Sequence, residues 1–545
     1  MKHLAEIIDR HHRVAFAALL GMLLALAWHN RFIQDDAFIV FRYAENWVRG
    51  AGPVFNPGER VEGYTCFLYL VLIAAGMRAG LDPVAASQII GMLACAGTLV
   101  GSYVLACILA RSRVAGLVAM LVLGTNYTFS AYATGGLETQ LHACLVTAGL
   151  ALGASEALRD RPRPGTLALA STIGGLAILT RPDSVLLLLP MGVALAVRSS
   201  VADGNGRARV ARLSGLLIPA ALLVGSWAAW KVRYYGDLLP NTFYLKALAS
   251  ASLTRGLFHL YSFVTSYWLV AGAVLGVWMW RDVLPAGDRA TRVLVVTLAL
   301  WMAYVVAIGG DFMEFRMFVA VLPVVAWLVV RIAWALELRA RLGSALIALV
   351  LAGSLQHAVV YNRLAHPDEN ESVRALEAHV LGGSENWVGV GRALGRDLGR
   401  DSSVWIATGA AGAIPYYSGL RTVDMFGLTD PWVARHGIPY SEVAGHRRAA
   451  DLDYLVRRGV TLVIAHPTTG RPSEGPLCMR DFPLPGWDAQ EPGRPVLPAG
   501  VRAVEIPVDS TLRMVAYYLA PHARVEEAVR SRGWRMREVA DCVER

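Results

Sequence analysis

The sequence predicts a polytopic α-helical membrane protein with a smaller α/β domain at its carboxyl-terminal end. Two bulk properties favour this class over a soluble one, because 55% of the 545 residues are hydrophobic and only 17% are charged. The third observation is that Lys and Arg recur in short clusters between the apolar runs. The net charge of +9 is therefore spread along the chain rather than gathered on one face, and we expect no nucleic-acid partner.

The first apolar run predicts an uncleaved membrane span. Lys2, Arg10 and Arg13 precede residues 14–28, and no small-residue cleavage site accompanies them. Basic residues favour the cytoplasmic side of a membrane, so we expect a cytoplasmic amino terminus and an extracytoplasmic loop after this span. The expected location is the inner (plasma) membrane.

The Arg clusters also set the number of further spans. Residues 67–77 are apolar, but this run is short for a hydrocarbon core that needs roughly 20 residues. We therefore expect this run to be a juxtamembrane or re-entrant helix on the outer side, because every later Arg cluster then falls in the cytoplasm. This arrangement gives about eleven spans. It also places residues 362–545 on the extracytoplasmic side. The ten later spans are expected at residues 83–110, 114–133, 139–158, 166–179, 184–197, 213–230, 257–280, 293–308, 318–336 and 342–361.

The first outer loop, residues 34–65, opens with two adjacent carboxylates, Asp35 and Asp36. Apolar and polar residues then alternate at helical spacing until a Gly-rich stretch ends the pattern, which predicts an amphipathic helix along the membrane surface. The carboxylates would be held at the membrane edge, although one of them could simply cap the helix. Glu59 and Glu62 could fold back towards the pair or could be ordinary loop charges.

Other ionisable residues gather at the outer ends of the predicted spans, where such residues are costly and usually functional. Simpler alternatives exist for several of them. Glu138 could offset a helix dipole, and Lys246 could extend to the membrane surface. Arg181 and Asp183 could pair only with each other. The residues at these ends are Glu138, Arg181, Asp183, Lys246, Asp311, Glu314 and Arg316.

The composition changes after residue 361, which we take as the end of a membrane domain at 1–361 and the start of an extracytoplasmic α/β domain at 362–545. Short β-type runs alternate there with helical stretches. Cys478 and Cys542 lie in this domain, so they are candidates for a disulfide, the alternative being two thiols. Strands are expected at 404–407, 462–465, 504–508 and 514–519, and helices at 372–380 and 449–457.

The motifs exclude some reactions and favour one class. The sequence has no phosphate-binding loop of the Walker type, no Cys/His metal pattern and no Gly-x-Ser-x-Gly elbow. A carboxylate pair that could act as a general base, cations that could hold a phosphate, and a lipid-facing bundle favour group transfer from a lipid-phosphate donor.

Several motifs together resemble one family of membrane enzymes. They are similar to the polyprenyl-phosphate-dependent glycosyltransferases of the GT-C fold, and most similar to the arabinofuranosyltransferase branch, which includes terminal β-(1→2)-arabinofuranosyltransferases of mycobacterial cell walls and pilin arabinofuranosyltransferases. The likeness spans most of residues 30–435, and the order of the motifs makes it specific. The motifs are "DDAFIVFRYAENWVRGAGPVFNPGERVEGYT", "GGLET", "TRPD", "PNTFYLK", "GGDFMEFRMF" and "DMFGLTDPWVARHG".

The resemblance implies a polyprenyl-phosphate pentose donor, an acidic catalytic residue in the first outer loop, and a bundle topped by an extracytoplasmic domain. The hypothesis is transfer of arabinofuranose to a cell-wall or surface polysaccharide or to a pilin-type protein, with Asp35 or Asp36 as the base and with a divalent metal at this pair left open. The alternative is a transporter or flippase of lipid-linked sugars, although no internal repeat supports it. The expected donor- and acceptor-binding residues are Glu59, Glu62, Tyr64, Glu138, Arg181, Asp183, Asn241, Lys246, Asp311 and Arg316.

Overall fold

The amino-terminal part of the chain is a bundle of helices. The computed structural model describes residues 11–202, 206–247, 252–336, 340–361, 370–443, 445–471, 477–478 and 501–540. Within them, helices α1 to α17 are His12–His29, Asp35–Val48, Phe67–Arg78, Pro83–Ala110, Arg113–Gly124, Tyr127–Ala131, Thr139–Ala157, Pro164–Thr180, Ser184–Val201, Gly206–Tyr235, Asn241–Ala247, Leu253–Ser266, Val270–Trp278, Trp280–Val283, Arg289–Ala307, Leu322–Ala335 and Ala340–Val360. A 3-10 turn, Arg316–Val321, precedes α16.

Seven helical stretches among the described residues are long and apolar enough to cross a membrane, and the number is eight if the pair α12 and α13 forms one span. Helices α3, α5 and α8 are apolar but shorter. Helix α3 has 12 residues, in keeping with a helix that does not cross the bilayer. The polytopic helical fold is confirmed, and the number of about eleven spans stays a prediction.

Two of the predicted spans are not continuous helices. Residues 114–133 divide into α5 and α6, because the Asn126 side chain accepts a hydrogen bond from the Phe129 N–H and starts a new helix. Residues 257–280 bend by 94° between α12 and α13, near Trp268, whose φ is 53°. The bend between α12 and α13 carries neither Gly nor Pro, whereas Gly124 ends α5 just before the break at Asn126. A single Gly is a weak signal in an apolar run, because Gly is frequent in membrane helices.

Helix α2 is the predicted helix of the first outer loop. It begins where the Gln34 side chain accepts a hydrogen bond from the Asp36 N–H at 2.5 Å, and it ends before Gly50, whose φ is +90°. Phe41 is fully buried, and Arg42, which helical spacing places on the polar face, is only 4% exposed. The helix is therefore covered on both faces by the rest of the protein, which differs from the predicted surface helix.

The carboxyl-terminal part is built around a mixed sheet in the order β2-β1-β5-β9-β8-β10-β7, with β6 beside β9. Strands β1 to β10 are Trp405–Thr408, Arg421–Asp424, Ile438–Pro439, Arg448–Ala449, Leu462–Ala465, Thr469–Gly470, Leu477–Cys478, Arg502–Pro507, Arg513–Tyr518 and Arg535–Ala540. Helices α18 to α23 are Val373–Leu381, Trp387–Leu398, Ala413–Ser418, Pro431–His436, Leu452–Arg457 and Ala523–Ser531.

Strand β1 pairs in parallel with β2 and β5, whereas β9 is antiparallel to β5 and β8. The four predicted strands and two predicted helices are all present with small shifts of their ends. The sheet-containing carboxyl-terminal domain is thus confirmed, although β2 and β10 were not predicted. The boundary at 361/362 stays a prediction, since residues 362–369 lie outside the described part of the chain.

Candidate active site

Asp35 joins the start of α2 to the carboxyl-terminal domain. Its Oδ1 accepts a hydrogen bond from the Ala413 N–H at 2.7 Å, and its Oδ2 accepts one from the Gly412 N–H at 3.0 Å. The residue is 6% exposed, and this burial raises the pKa of the Asp35 carboxyl to about 7, although the two backbone hydrogen bonds oppose the shift. Both oxygens of Asp35 therefore contact backbone amides at the start of α20.

Arg42 strengthens the same contact between the bundle and the domain. Its guanidinium lies 4.5 Å from the centre of the Phe55 ring. Asn56 adds two hydrogen bonds to the main chain of Thr422, at 2.8 and 3.1 Å. The Arg42 guanidinium donates hydrogen bonds of 2.5–3.1 Å to oxygens of Phe55, Asn56, Pro415 and Leu420.

Glu59 and Glu62 each form an ion pair with a residue outside the first outer loop. Glu59 pairs with Arg458 of the domain at 2.5 Å. Glu62 pairs at 2.5 Å with Lys231 of α10, and both side chains of this pair are buried. A carboxylate that neutralises a buried cation stabilises the fold, and its loss leaves the cation uncompensated.

Tyr64 and Asn241, two other predicted binding residues, also contact protein groups. The Tyr64 hydroxyl lies 2.9 Å from the Tyr235 hydroxyl. The Asn241 side-chain N–H groups donate to the carbonyls of Gly427 and Leu428 at 2.8 and 3.1 Å, in the loop of the "DMFGLTD" motif. The first contact joins the first outer loop to α10, and the second joins α11 to the domain.

Asp36 lies beside a different group of charges. It interacts electrostatically with Arg316, whose Nε and Nη2 donate to Asp311 Oδ2 at 2.9 and 2.8 Å. Gly309 and Gly310, with φ of +86° and +75°, form the turn before Asp311 in a conformation that glycine adopts most easily. The "GGDFMEFRMF" motif thus places an Arg–Asp pair near Asp36.

Arg181 holds two further carboxylates. Its Nε and Nη2 donate to Asp183 at 3.1 and 2.8 Å, and its Nη1 donates to Glu138 Oε1 at 3.0 Å. Arg181 is extended, as expected for a residue that precedes Pro182, so α8 ends there and the side chain turns aside. Arg181 and Asp183 do pair with each other, but Arg181 also binds Glu138, so the pair is not isolated.

The "GGLET" motif explains how Glu138 comes close to α2. A Cβ on Gly136 would lie 2.6 Å from the Cβ of Ala37, so only glycine permits this approach. The Gln34 N–H donates to the Gly135 carbonyl at 3.2 Å, and the Tyr69 hydroxyl donates to the Gly136 carbonyl at 2.7 Å. The segment before Glu138 therefore lies against the start of α2.

These six charged residues form one group, which we call the ionic cluster. Arg316 interacts electrostatically with Asp36, Glu138 and Arg181, which connects both ion-pair sets. Of the five guanidinium N–H donors, Arg316 uses two on Asp311, whereas Arg181 uses three on its carboxylates and one on the Met317 sulfur. Within the described part of the chain, Arg316 therefore keeps more donors for an anion than Arg181 does. The members of the ionic cluster are Asp36, Glu138, Arg181, Asp183, Asp311 and Arg316.

Two further residues near the cluster were not among the predicted site residues. The Tyr132 hydroxyl is buried without a hydrogen-bond partner among the described residues and interacts electrostatically with Arg316. Glu314 is fully buried and accepts hydrogen bonds from the Val373 N–H at 2.8 Å and from His357 at 2.7 Å. Tyr132 lies at the end of an apolar run, so its sequence gives no polar signal.

Each Asp35 oxygen already accepts one backbone hydrogen bond, so a divalent metal held jointly by Asp35 and Asp36 would have to share these oxygens with the Gly412 and Ala413 amides. Across the described residues, no three His, Cys, Asp or Glu side chains are grouped as metal ligands. The side chains of Lys246 and Cys478 and the whole of Cys542 lie outside the described part of the chain. The predicted roles of Lys246 and of the disulfide therefore stay predictions.

Comparison with solved structures identifies the fold. ArnT from Cupriavidus metallidurans, in a crystal structure with bound undecaprenyl phosphate, superposes with a TM-score of 0.54 at 13% identity, covering 93% of this chain and 98% of that one. The apo structure of ArnT gives a TM-score of 0.51 at 12% identity, with 92% and 97% covered. The bundle and the carboxyl-terminal domain together thus have the ArnT-like GT-C architecture.

Comparison with curated sequences identifies similar proteins. The terminal beta-(1->2)-arabinofuranosyltransferase of Corynebacterium glutamicum is 30% identical, over 56% of this chain and 50% of that protein. The protein of the same name from Mycobacterium tuberculosis is also 30% identical, over 46% and 40%. The chain spans half or less of the length of these relatives, and a domain of unknown function (DUF8728) matches residues 376–515. The resemblance predicted from the motifs is confirmed: this chain has the GT-C fold and is similar in sequence to arabinofuranosyltransferases.

Proposed function

We propose that the protein is a membrane glycosyltransferase that moves arabinofuranose from a polyprenyl-phosphate donor to an extracytoplasmic glycan or pilin-type protein. The observation that carries the proposal is the ionic cluster, in which the partly exposed Asp36 interacts electrostatically with Arg316 while Asp35 is engaged by the domain. The names of the sequence relatives support arabinofuranose as the transferred sugar. The undecaprenyl phosphate bound to ArnT supports a lipid phosphate as the donor.

In the proposed reaction, Asp36 accepts the proton of the acceptor hydroxyl as its oxygen attacks the anomeric carbon of the donor. The new C–O bond forms while the bond between the anomeric carbon and the phosphate oxygen breaks, and the electron pair leaves with the polyprenyl phosphate. Arg316 offers N–H donors to the charge that develops on this leaving group, and Arg181 offers fewer.

The environments of the two carboxylates favour Asp36 over Asp35 as the base. A base must reach a substrate proton within hydrogen-bond distance. Asp35 is buried with each oxygen occupied by a backbone N–H, whereas the Asp36 side chain is partly exposed. Asp35 then has a positioning role, because it fixes the start of the helix that carries Asp36.

The first test compares Asp36→Asn with Asp35→Asn in the purified protein. Since asparagine keeps the shape but cannot accept a proton, we expect Asp36→Asn to lower turnover at least about a hundredfold while donor binding persists. We expect Asp35→Asn to lower thermal stability, because the amide nitrogen cannot accept the backbone hydrogen bond that one carboxylate oxygen accepts. Asp82→Asn is a matched control, since Asn caps a helix as well as Asp does.

The assay uses membranes that contain polyprenyl-phosphate arabinose, with polysaccharide and pilin-type proteins as acceptors. Transfer of labelled sugar by the wild type supports the enzyme. Near-normal transfer by Asp36→Asn would refute Asp36 as the base and direct attention to Glu138 and Asp311. Movement of the labelled lipid across liposomes without transfer to any acceptor would favour the transporter instead.

A further inference from the structure

A cavity lies apart from the ionic cluster, and none of its lining residues belongs to the cluster. It has a volume of about 700 Å³ and opens between the ends of α1, α5 and α17 and the first turns of α18. The apolar part of its wall includes Leu26, Leu121, Leu351, Leu355 and Val359, and polar residues form the rest. A cavity of this size holds a ligand comparable to a drug molecule or to part of a lipid.

The mouth of the cavity is charged. Arg31, which follows α1, and Arg374 and Glu377, on α18, all line it. Glu377 interacts electrostatically with both arginines, so the three side chains are near one another. Two guanidinium groups beside one carboxylate match a ligand that carries a phosphate and a nearby ammonium group.

The cavity lies where protein meets lipid. Helix α1 and the stretch Arg341–Val360 are both candidate spans, and the cavity is at the ends of both. Trp28 is 47% exposed and Leu355 is 69% exposed at these ends, so apolar side chains face outward beside the opening. The Arg31 guanidinium lies 5.5 Å from the centre of the Trp28 ring, an arrangement typical of a membrane–water interface.

We propose that this cavity binds a membrane phospholipid with an aminoalkyl headgroup, such as phosphatidylethanolamine. Arg31 and Arg374 hold its phosphate, Glu377 holds its ammonium group, and an acyl chain lies along Leu351 and Leu355. The lipid thereby bridges α1 to the domain helix α18. The neighbouring residue on α18, Val373, also contacts the bundle, because its N–H donates a hydrogen bond to Glu314. The lipid therefore adds a second contact between the bundle and α18.

Native mass spectrometry of the full-length protein in detergent tests the site independently of any transfer activity. Phosphatidylethanolamine, phosphatidylglycerol and inorganic phosphate are titrated separately. We expect the double variant Arg31→Gln/Arg374→Gln to bind both lipids at least tenfold more weakly, and Leu355→Trp to block the acyl chain to a similar extent. Glu377→Gln should lose the preference for phosphatidylethanolamine over phosphatidylglycerol.

Matched controls are Arg524→Gln, which changes an exposed arginine of the domain, and Leu93→Trp, which changes an apolar residue of α4 that is 70% exposed. Both should bind lipid as the wild type does. Unchanged lipid binding in the double variant or in Leu355→Trp would overturn the proposal. Displacement of the lipid by inorganic phosphate alone would show that the site binds anions rather than a phospholipid. An unchanged lipid preference in Glu377→Gln would show that Glu377 does not bind the ammonium group.

Discussion

At the scale of single residues, the two arginines of the ionic cluster differ in the donors they keep. Arg316 binds one carboxylate, Asp311, whereas Arg181 binds both Asp183 and Glu138. The non-bridging oxygens of the donor phosphate accept hydrogen bonds strongly, so the arginine with more remaining N–H groups can bind them without breaking its own ion pair. This difference ranks Arg316 before Arg181 as the residue that holds the donor phosphate.

We predict that Arg316→Gln lowers kcat/KM for the lipid donor by about a hundredfold, since it removes charge-assisted donors from the leaving group. The double variant Arg316→Gln/Asp311→Asn should show the same loss, although it leaves no unpaired carboxylate. Steady-state kinetics with the lipid donor provide the measurement, and Arg49→Gln, on an exposed pair with Glu45, is the control. Recovery of activity in the double variant would mean that Arg316 serves only to neutralise Asp311.

Sequence reasoning at this scale found all members of the ionic cluster but could not separate Asp36 from Asp35. Residue types and local spacing are the same for two adjacent carboxylates. The partners of Asp35 are 377 and 378 positions away in the sequence, so only the folded chain distinguishes them. Arg42 shows the same limit, because helical spacing indicates a polar face but not which carbonyls will cover it.

At the scale of elements, the contact between α2 and α20 depends on a missing side chain. A Cβ at Gly412 would lie 2.0 Å from the Asp35 carbonyl oxygen and 2.7 Å from its Cγ. We predict that Gly412→Ala destabilises the protein by about 1–3 kcal/mol, because the helix and the domain must move apart. Gly382→Ala is the control, since a Cβ there meets no atom within 4 Å.

The midpoint of thermal unfolding in detergent measures this effect. Gly412→Ala should also lose transfer activity, because the start of α2 carries Asp36. Equal unfolding midpoints for the two alanine variants would contradict the close contact between α2 and α20.

A second element-scale prediction concerns pH. His379 lies between Glu371 and Glu385, at 3.1 and 2.7 Å. Burial alone would lower the pKa of His379, but its hydrogen bonds to the two carboxylates outweigh burial and raise the pKa from 6.5 to about 10. The charged histidine therefore stabilises the fold fully below pH 6.5, and this stabilisation is lost as the pH rises towards 10.

We predict that wild type exceeds His379→Gln in unfolding midpoint by at least about 2–4 °C near pH 6, which corresponds to roughly 1 kcal/mol. The difference should shrink as the pH rises towards 10. His436→Gln, at an exposed position of the same domain, should show no such trend. A pH-independent difference between wild type and His379→Gln would contradict a charged His379.

Elements were predictable where one local signal defined them. The alternation of short apolar runs located four strands of the domain, and the apolar runs of the bundle located most of its helices. The 94° bend between α12 and α13 was not found, because it carries neither Gly nor Pro. The break at Asn126 was not found although Gly124 ends α5 beside it, because a single Gly is frequent in membrane helices. Strand β2 was missed because its sequence, Arg-Thr-Val-Asp, has a single apolar residue, Val423, and so lacks the apolar run that marked β1 and β5.

At the scale of the whole molecule, the distribution of basic clusters predicts the orientation. We expect a cytoplasmic amino terminus and a domain on the outer side, because the Arg-rich loops then all face the cytoplasm. A reporter that is active only in the cytoplasm should be silent when fused after Arg545 and active when fused before Met1. Reporter activity at the carboxyl terminus would contradict the predicted orientation. A silent reporter at the amino terminus would contradict it as well.

The contact of Asp35 with Gly412 and Ala413 also orders events during biosynthesis. The proposed base is on a helix near the beginning of the chain, but that helix is fixed by backbone amides made 377 residues later. At about 5–20 residues per second, roughly 20–75 s of translation separate the two. A nascent bundle therefore has the Gln34 and Gly135 contacts at the start of α2 early, and it gains the two hydrogen bonds of Asp35 to the domain only after translation through residue 413.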